Sequence, residues 1–197
     1  PVIGYYFMSG VAGWIAPVGV VPMLTMRLLS EEKRSGTYEV LMSAPVSELS
    51  VVVSKFVAAL LVYLLMWLPW GAYLIGLSGE LDKPFEYRPV LTFGIALFFT
   101  GASFVAMGMF FSSLTRNQIV AAVLTFAAML FLLLVILFVD RGSSQVWQQV
   151  FLKLSFYRVW QDSIFGKILL HDLILYLSIT AFWLFLTVKA LEARKWN

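Results

Sequence analysis

Five long runs of this chain, about 3–26, 51–77, 89–111, 119–139 and 173–188, are almost free of charge. Wound as a helix, about 20 apolar residues cross the hydrocarbon core of a bilayer. In lipid the backbone must satisfy its own N–H and C=O groups, which leaves helices and closed barrels as the spanning forms. Runs of this length and near-continuous apolarity read as helices. They predict an all-α polytopic membrane protein with five visible transmembrane helices, the whole of 1–197 forming one transmembrane domain. Composition agrees: 61% of the residues are hydrophobic and 13% charged, about half the charge of an ordinary soluble domain. A soluble chain of this size could not hide so much apolar surface in one core.

Between the first two runs lies the polar stretch 27–50. Ser30 is placed to cap a turn that opens on Glu31 and Glu32, a favourable position for acids. Gly36 interrupts, Thr37 is placed to cap a second turn over 38–43, and Pro45 stops it. In that second turn Tyr38, Leu41 and Met42 share one face. A short helix with an apolar edge and charged neighbours suits docking in a groove on another protein. The candidate contact residues are Glu31, Glu32, Lys33, Arg34 and Glu39 for charge, Tyr38, Leu41 and Met42 for the apolar seat, and Thr37 between them. Solvation of an ordinary loop is the alternative for each charge.

Elsewhere the chain offers packing signals. Pro17 and Pro22 fall in the first run beside small glycines, which predicts either a kinked, packed helix or a lipid-facing irregularity without function. Gly94, Gly101 and Gly108 recur every seven residues. That stripe drifts by about 20° per heptad on a straight helix, and small residues let helices approach closely. Helix packing is the preferred reading over a pore lining. The 140–172 insertion mixes polar and aromatic residues. Trp147, Val150, Phe151 and Leu154 oppose Gln148, Gln149 and Lys153, the pattern of an interfacial amphipathic helix. Tyr157, Trp160, Ile164 and Phe165 extend it, either flat or dipping back into the bilayer.

Five spans alternate the loops. Arg27, Lys33, Arg34, Lys55, Arg116, Lys189, Arg194 and Lys195 fall on one side; Lys83, Arg88, Arg141, Lys153, Arg158 and Lys167 fall on the other. Most of the second set sits in the long insertion, whereas orientation follows short loops next to span ends. The 27–50 segment and the C-terminal tail are therefore expected in the cytoplasm, with 140–172 outside it.

Several chemistries lack their residues. Ion-coupled carriers rely on ionisable groups inside their spans, and here only Lys55 approaches one, near an end. No G-x-x-x-x-G-K-[ST] loop exists to cradle nucleotide phosphates. The single histidine, His171, sits beside Asp172 at a span boundary and reads as a cap rather than a catalytic or metal-binding group. With no cysteine, thiolate metal sites are excluded, and no metal site is expected. A net charge of +3 leaves no nucleic-acid footprint.

The residues from Leu24 to Thr37 (LTMRLLSEEKRSGT), followed by Ser43-Ala44-Pro45-Val46-Ser47, resemble the permease subunits of ABC-2 type exporters. Within that family the likeness is greatest to permeases of the gliding-motility ABC transporter group. Ser54-Lys55-Phe56, Asn117–Ala122 and Leu186–Arg194 support it. The resemblance implies a six-span subunit of a bacterial cytoplasmic (inner) membrane, paired with a second permease copy or paralogue above ATP-binding subunits. ATP and magnesium would belong to that partner, and this chain would have no cofactor and no enzymatic activity of its own. The coupling helix would fall within Glu31–Ser43, and short extracytoplasmic helices would correspond to Trp147–Phe165. The family's interfacial helix and first span would precede Pro1.

Two functions stay open at this level. One is an exporter subunit moved by an outside ATPase, in contact with membrane lipid. The other is a non-transporting module that tethers or signals to an extracytoplasmic protein through 140–172. Uncharged spans favour lipidic, peptidic or amphiphilic cargo over small ions.

Overall fold

The computed structural model describes residues 11–37, 47–78, 87–139 and 155–193. They form helices and their connections, with no strand among the described residues: α1 (Val11–Thr25), α2 (Ser30–Ser35), α3 (Glu48–Ser78), α4 (Tyr87–Leu114), α5 (Gln118–Val139), α6 (Phe156–Ile164) and α7 (Leu170–Glu192). Three of them, α3, α4 and α7, are long and apolar enough to cross a membrane; α5 is apolar over the shorter stretch Gln118–Leu133. An integral membrane protein follows.

Helix ends depart from the apolar runs where a charge ended the run but not the helix. The last span, expected over 173–188, is the helix Leu170–Glu192. Asp172 lies in its first turn and Lys189 in its last, the positions at which the helix macrodipole favours each sign. Helix α3, at 31 residues, is about 46 Å long and exceeds the roughly 30 Å hydrocarbon core.

The bundle is built around α4, which packs against all six other helices. Every residue from Thr100 to Met109 is buried, so nearly three turns have no exposed side. Lipid tails give little hydrophobic drive between helices, and close approach and hydrogen bonds carry the association instead. Gly101 and Gly108 provide the approach. A methyl group at Gly101 would overlap the ring of Tyr63 on α3, and one at Gly108 would overlap the Thr25 side chain at the end of α1. Gly94, the third member of the stripe, is exposed, with open space where a Cβ would be.

Hydroxyls inside the helices bond the carbonyl four residues earlier: Thr25 to Val21 and Thr125 to Ala121 at 2.8 Å, Thr180 to Tyr176 at 2.7 Å. Polar side chains thereby remain satisfied without water. The outer faces of α3, α5 and α7 carry large exposed apolar residues, among them Leu61, Leu65, Ile119, Val123, Phe131, Leu177 and Phe185. Such a belt suits lipid.

Candidate functional site

The polar reversal between α1 and α3 is anchored to the bundle by hydroxyl and ammonium groups. At its start the Leu29 and Ser30 N–H groups both donate to the Ser112 hydroxyl on α4, each at 3.1 Å, and that hydroxyl donates to the Met26 carbonyl at 3.1 Å. One donor and two acceptor sites exhaust what a hydroxyl offers. The first helical donors of α2 therefore find their partner more than 80 residues away in sequence. Ser30, expected to cap α2, instead lies inside it and turns its hydroxyl back to the Met26 carbonyl; the cap position is Leu29, which makes no side-chain cap bond. The correction has a simple cause: with Ser112 already serving the N-terminal donors, the Ser30 side chain is released to bond backwards.

Two lysines complete the anchor. The Lys33 ammonium, buried, donates to the Ser113 carbonyl in the last turn of α4. A cation there neutralises the negative end of the helix dipole and occupies a carbonyl with no partner inside its helix. Lys55 on α3 reaches the other side of the reversal, donating to the Leu28 carbonyl at 2.8 Å and to Glu32 Oε1 at 2.6 Å. Both side chains of this ion pair are about a quarter exposed, so the pair is shielded but not desolvated. Beneath α2, Leu29, Val52, Met109 and Leu191 form a closed apolar seat drawn from the reversal, α3, α4 and α7.

Of the predicted contact residues, Glu32 and Lys33 are thus committed inward, while Glu31, Arg34 and Thr37 are exposed. Helix α2 ends at Gly36, whose φ of 76° is left-handed and admits a glycine readily. The Ser35 and Thr37 hydroxyls lie 2.8 Å apart across that turn. Tyr38, Glu39, Leu41 and Met42 lie outside the described residues. Sequence reasoning missed Ser112 and Ser113 as partners. Lys55 did leave a signal, as the one charge low in an apolar run.

Between the middle of α4 and its end away from α2, the bundle holds a second cluster. Trp160 of α6 is fully buried and its indole N–H donates to the Thr100 hydroxyl at 2.9 Å, which donates in turn to the Ala96 carbonyl at 2.8 Å. Phe93, Trp67 and Phe156 surround the indole edge-on, with centroids 5.8, 6.2 and 5.6 Å away. Edge-to-face pairs of this kind contribute about 0.5–1.5 kcal/mol each beyond their buried area. Trp160, expected on an extracytoplasmic helix lying flat or dipping back into the bilayer, is thus packed into the bundle, where its polar N–H has a protein acceptor. Trp147, Phe151 and Leu154, expected on the same interfacial helix, lie outside the described residues. His171 and Asp172 pair at 3.0 Å at the start of α7. Among the described residues no group of three or more His, Cys, Asp or Glu is placed to hold a metal ion.

Comparison with known families finds one match covering nearly the whole chain: residues 2–189 fit the model described as ABC-2 family transporter protein. No curated protein and no solved structure matches the chain.

Proposed function

Because the chain belongs to the ABC-2 family of transporter proteins, we propose that it is the permease subunit of an ATP-driven exporter, engaged by a separate ATP-binding chain at 31–43. ATP and magnesium act in that partner. A second permease copy or paralogue completes the membrane unit, in the cytoplasmic membrane of a bacterium.

The observation that supports this reading is the way α2 is held. Its exposed edge presents Glu31, Arg34 and Thr37, while its base is fixed to α3 through Lys55 and to α4 through Ser112 and Ser113. A push on that edge is passed to two membrane helices at once. In a loop held only by its ends, the same push would be lost in bending. The drive then reaches the spans as a tilt or slide of the α3 and α4 ends nearest α2. Uncharged spans favour amphiphilic cargo.

The test is co-expression of the chain with its ATP-binding partner. Leu41→Asp with Met42→Asp is expected to abolish co-purification and stimulation of ATP hydrolysis, with normal amounts of the permease in the membrane. An intact, fully stimulated complex would refute the docking claim.

A further inference from the structure

We propose that the polar face of α6 lines a hydrated cleft that enters the bundle from the end opposite α2 and reaches the middle of the membrane. The proposal stands on where α6 sits, and is independent of what docks on α2.

Two hydrogen bonds and a ring contact fix its depth. Ser163, at the end of α6, accepts from the Thr92 hydroxyl at 2.6 Å. One turn earlier Trp160 bonds Thr100, and at the start of α6 the ring of Phe156 packs edge-on against Phe104, centroids 5.2 Å apart. Helix α6, nine residues and about 13 Å long, thus runs antiparallel along α4, and its contacts reach from the level of residue 104 to that of residue 92. Thr100 is the fourteenth of the 28 residues of α4. A 28-residue helix is about 42 Å long, so its middle coincides with the middle of a roughly 30 Å hydrocarbon core. The first turn of α6 therefore lies at mid-membrane.

The two faces of α6 differ sharply in chemistry. Phe156, Val159, Trp160, Ser163 and Ile164 are buried against the bundle. Tyr157, Arg158 and Gln161 are exposed, with Asp162 beside them. Arg158 and Asp162 form an i, i+4 ion pair at 3.7 Å whose side chains are 50% and 33% exposed. A guanidinium, a carboxylate and an amide at this depth cannot face hydrocarbon without a heavy penalty, and such groups in membrane proteins turn to water-filled cavities or to each other. Their mutual pairing is loose and leaves most of their hydrogen-bonding capacity open. Water, entering from the side on which α6 ends, satisfies it. The cleft would favour a passing molecule with a polar, hydrogen-bonding head.

The chain contains no cysteine, so single-cysteine variants report without background. Gln161→Cys and Tyr157→Cys in the full chain, co-expressed with its partner in native membranes, would be exposed to a positively charged, water-soluble methanethiosulfonate. Leu177→Cys and Phe182→Cys on the apolar face of α7 serve as lipid-facing references. Both α6 sites are expected to react at least 10-fold faster than the references. Reaction as slow as at α7 would place the face in lipid and overturn the proposal. Protection accompanied by cross-linking of Gln161→Cys to a second copy would overturn it too, by making the face a dry subunit contact. Two α6 positions are used so that one poorly folding variant still leaves a reading from the other.

Discussion

Lys55 and Glu32 meet at 2.6 Å across the base of the α1–α3 reversal, and the same ammonium holds the Leu28 carbonyl at 2.8 Å. One side chain on a membrane helix thus secures both the backbone and the charge of the segment that leaves the membrane. Lys55→Met is expected to destabilise the chain by about 1–2 kcal/mol, since a shielded charge-assisted bond is lost and its partners are left open. ATPase stimulation should fall more than co-purification does, because the exposed edge of α2 survives while its anchorage does not. Thermal unfolding in detergent and coupled ATPase assays measure the two effects, and equal losses would contradict the anchorage role.

Ser112 serves two backbone donors and one carbonyl. Ser112→Ala removes the shared acceptor and should cost about 1–3 kcal/mol. Amide exchange at Leu29 and Ser30 should accelerate well beyond that at the middle of α4. Unchanged protection would show that another acceptor replaces the hydroxyl.

The three glycines of α4 should separate cleanly. Gly101→Ala and Gly108→Ala introduce a methyl into Tyr63 and Thr25 respectively, and overpacking of this kind typically costs about 1–3 kcal/mol. Gly94→Ala meets nothing and should be neutral or stabilising by up to about 1 kcal/mol, from the better helix propensity of alanine. Thermal midpoints of the three variants decide the matter, and equal losses at all three would contradict it.

Trp160 and Thr100 form a buried pair at 2.9 Å. Trp160→Phe and Thr100→Val should each destabilise by about 1–2 kcal/mol through the partner left unsatisfied. The double variant should cost clearly less than their sum, as expected for groups in direct contact. Strict additivity would argue that the indole N–H contributes nothing.

The class of fold was legible in the sequence because hydropathy is local: uncharged runs of about 20 residues have few structural outlets. Helix ends were less so. The run ending at 188 concealed a helix that continues to Glu192, since a terminal charge that interrupts a hydropathy run can also favour a helix end. The inward turn of Lys33 was illegible for a different reason. Its acceptor, the Ser113 carbonyl, is 80 residues away, and nothing in SEEKRS distinguishes a lysine bound for a distant helix terminus from one bound for solvent. Spacing alone likewise could not tell Gly94 from Gly101; the difference is made by Tyr63 on another helix. Trp160 carried an ambiguous signal, because an amphipathic aromatic stripe serves a headgroup layer or a protein interior equally well.

Ten successive residues of α4, Thr100 to Met109, are enclosed on every side by their own chain. Among the described residues, the subunit's axis is thus filled with protein and leaves no room for a central bore. On the proposed reading, whatever this subunit helps across would pass along its flank rather than through its middle.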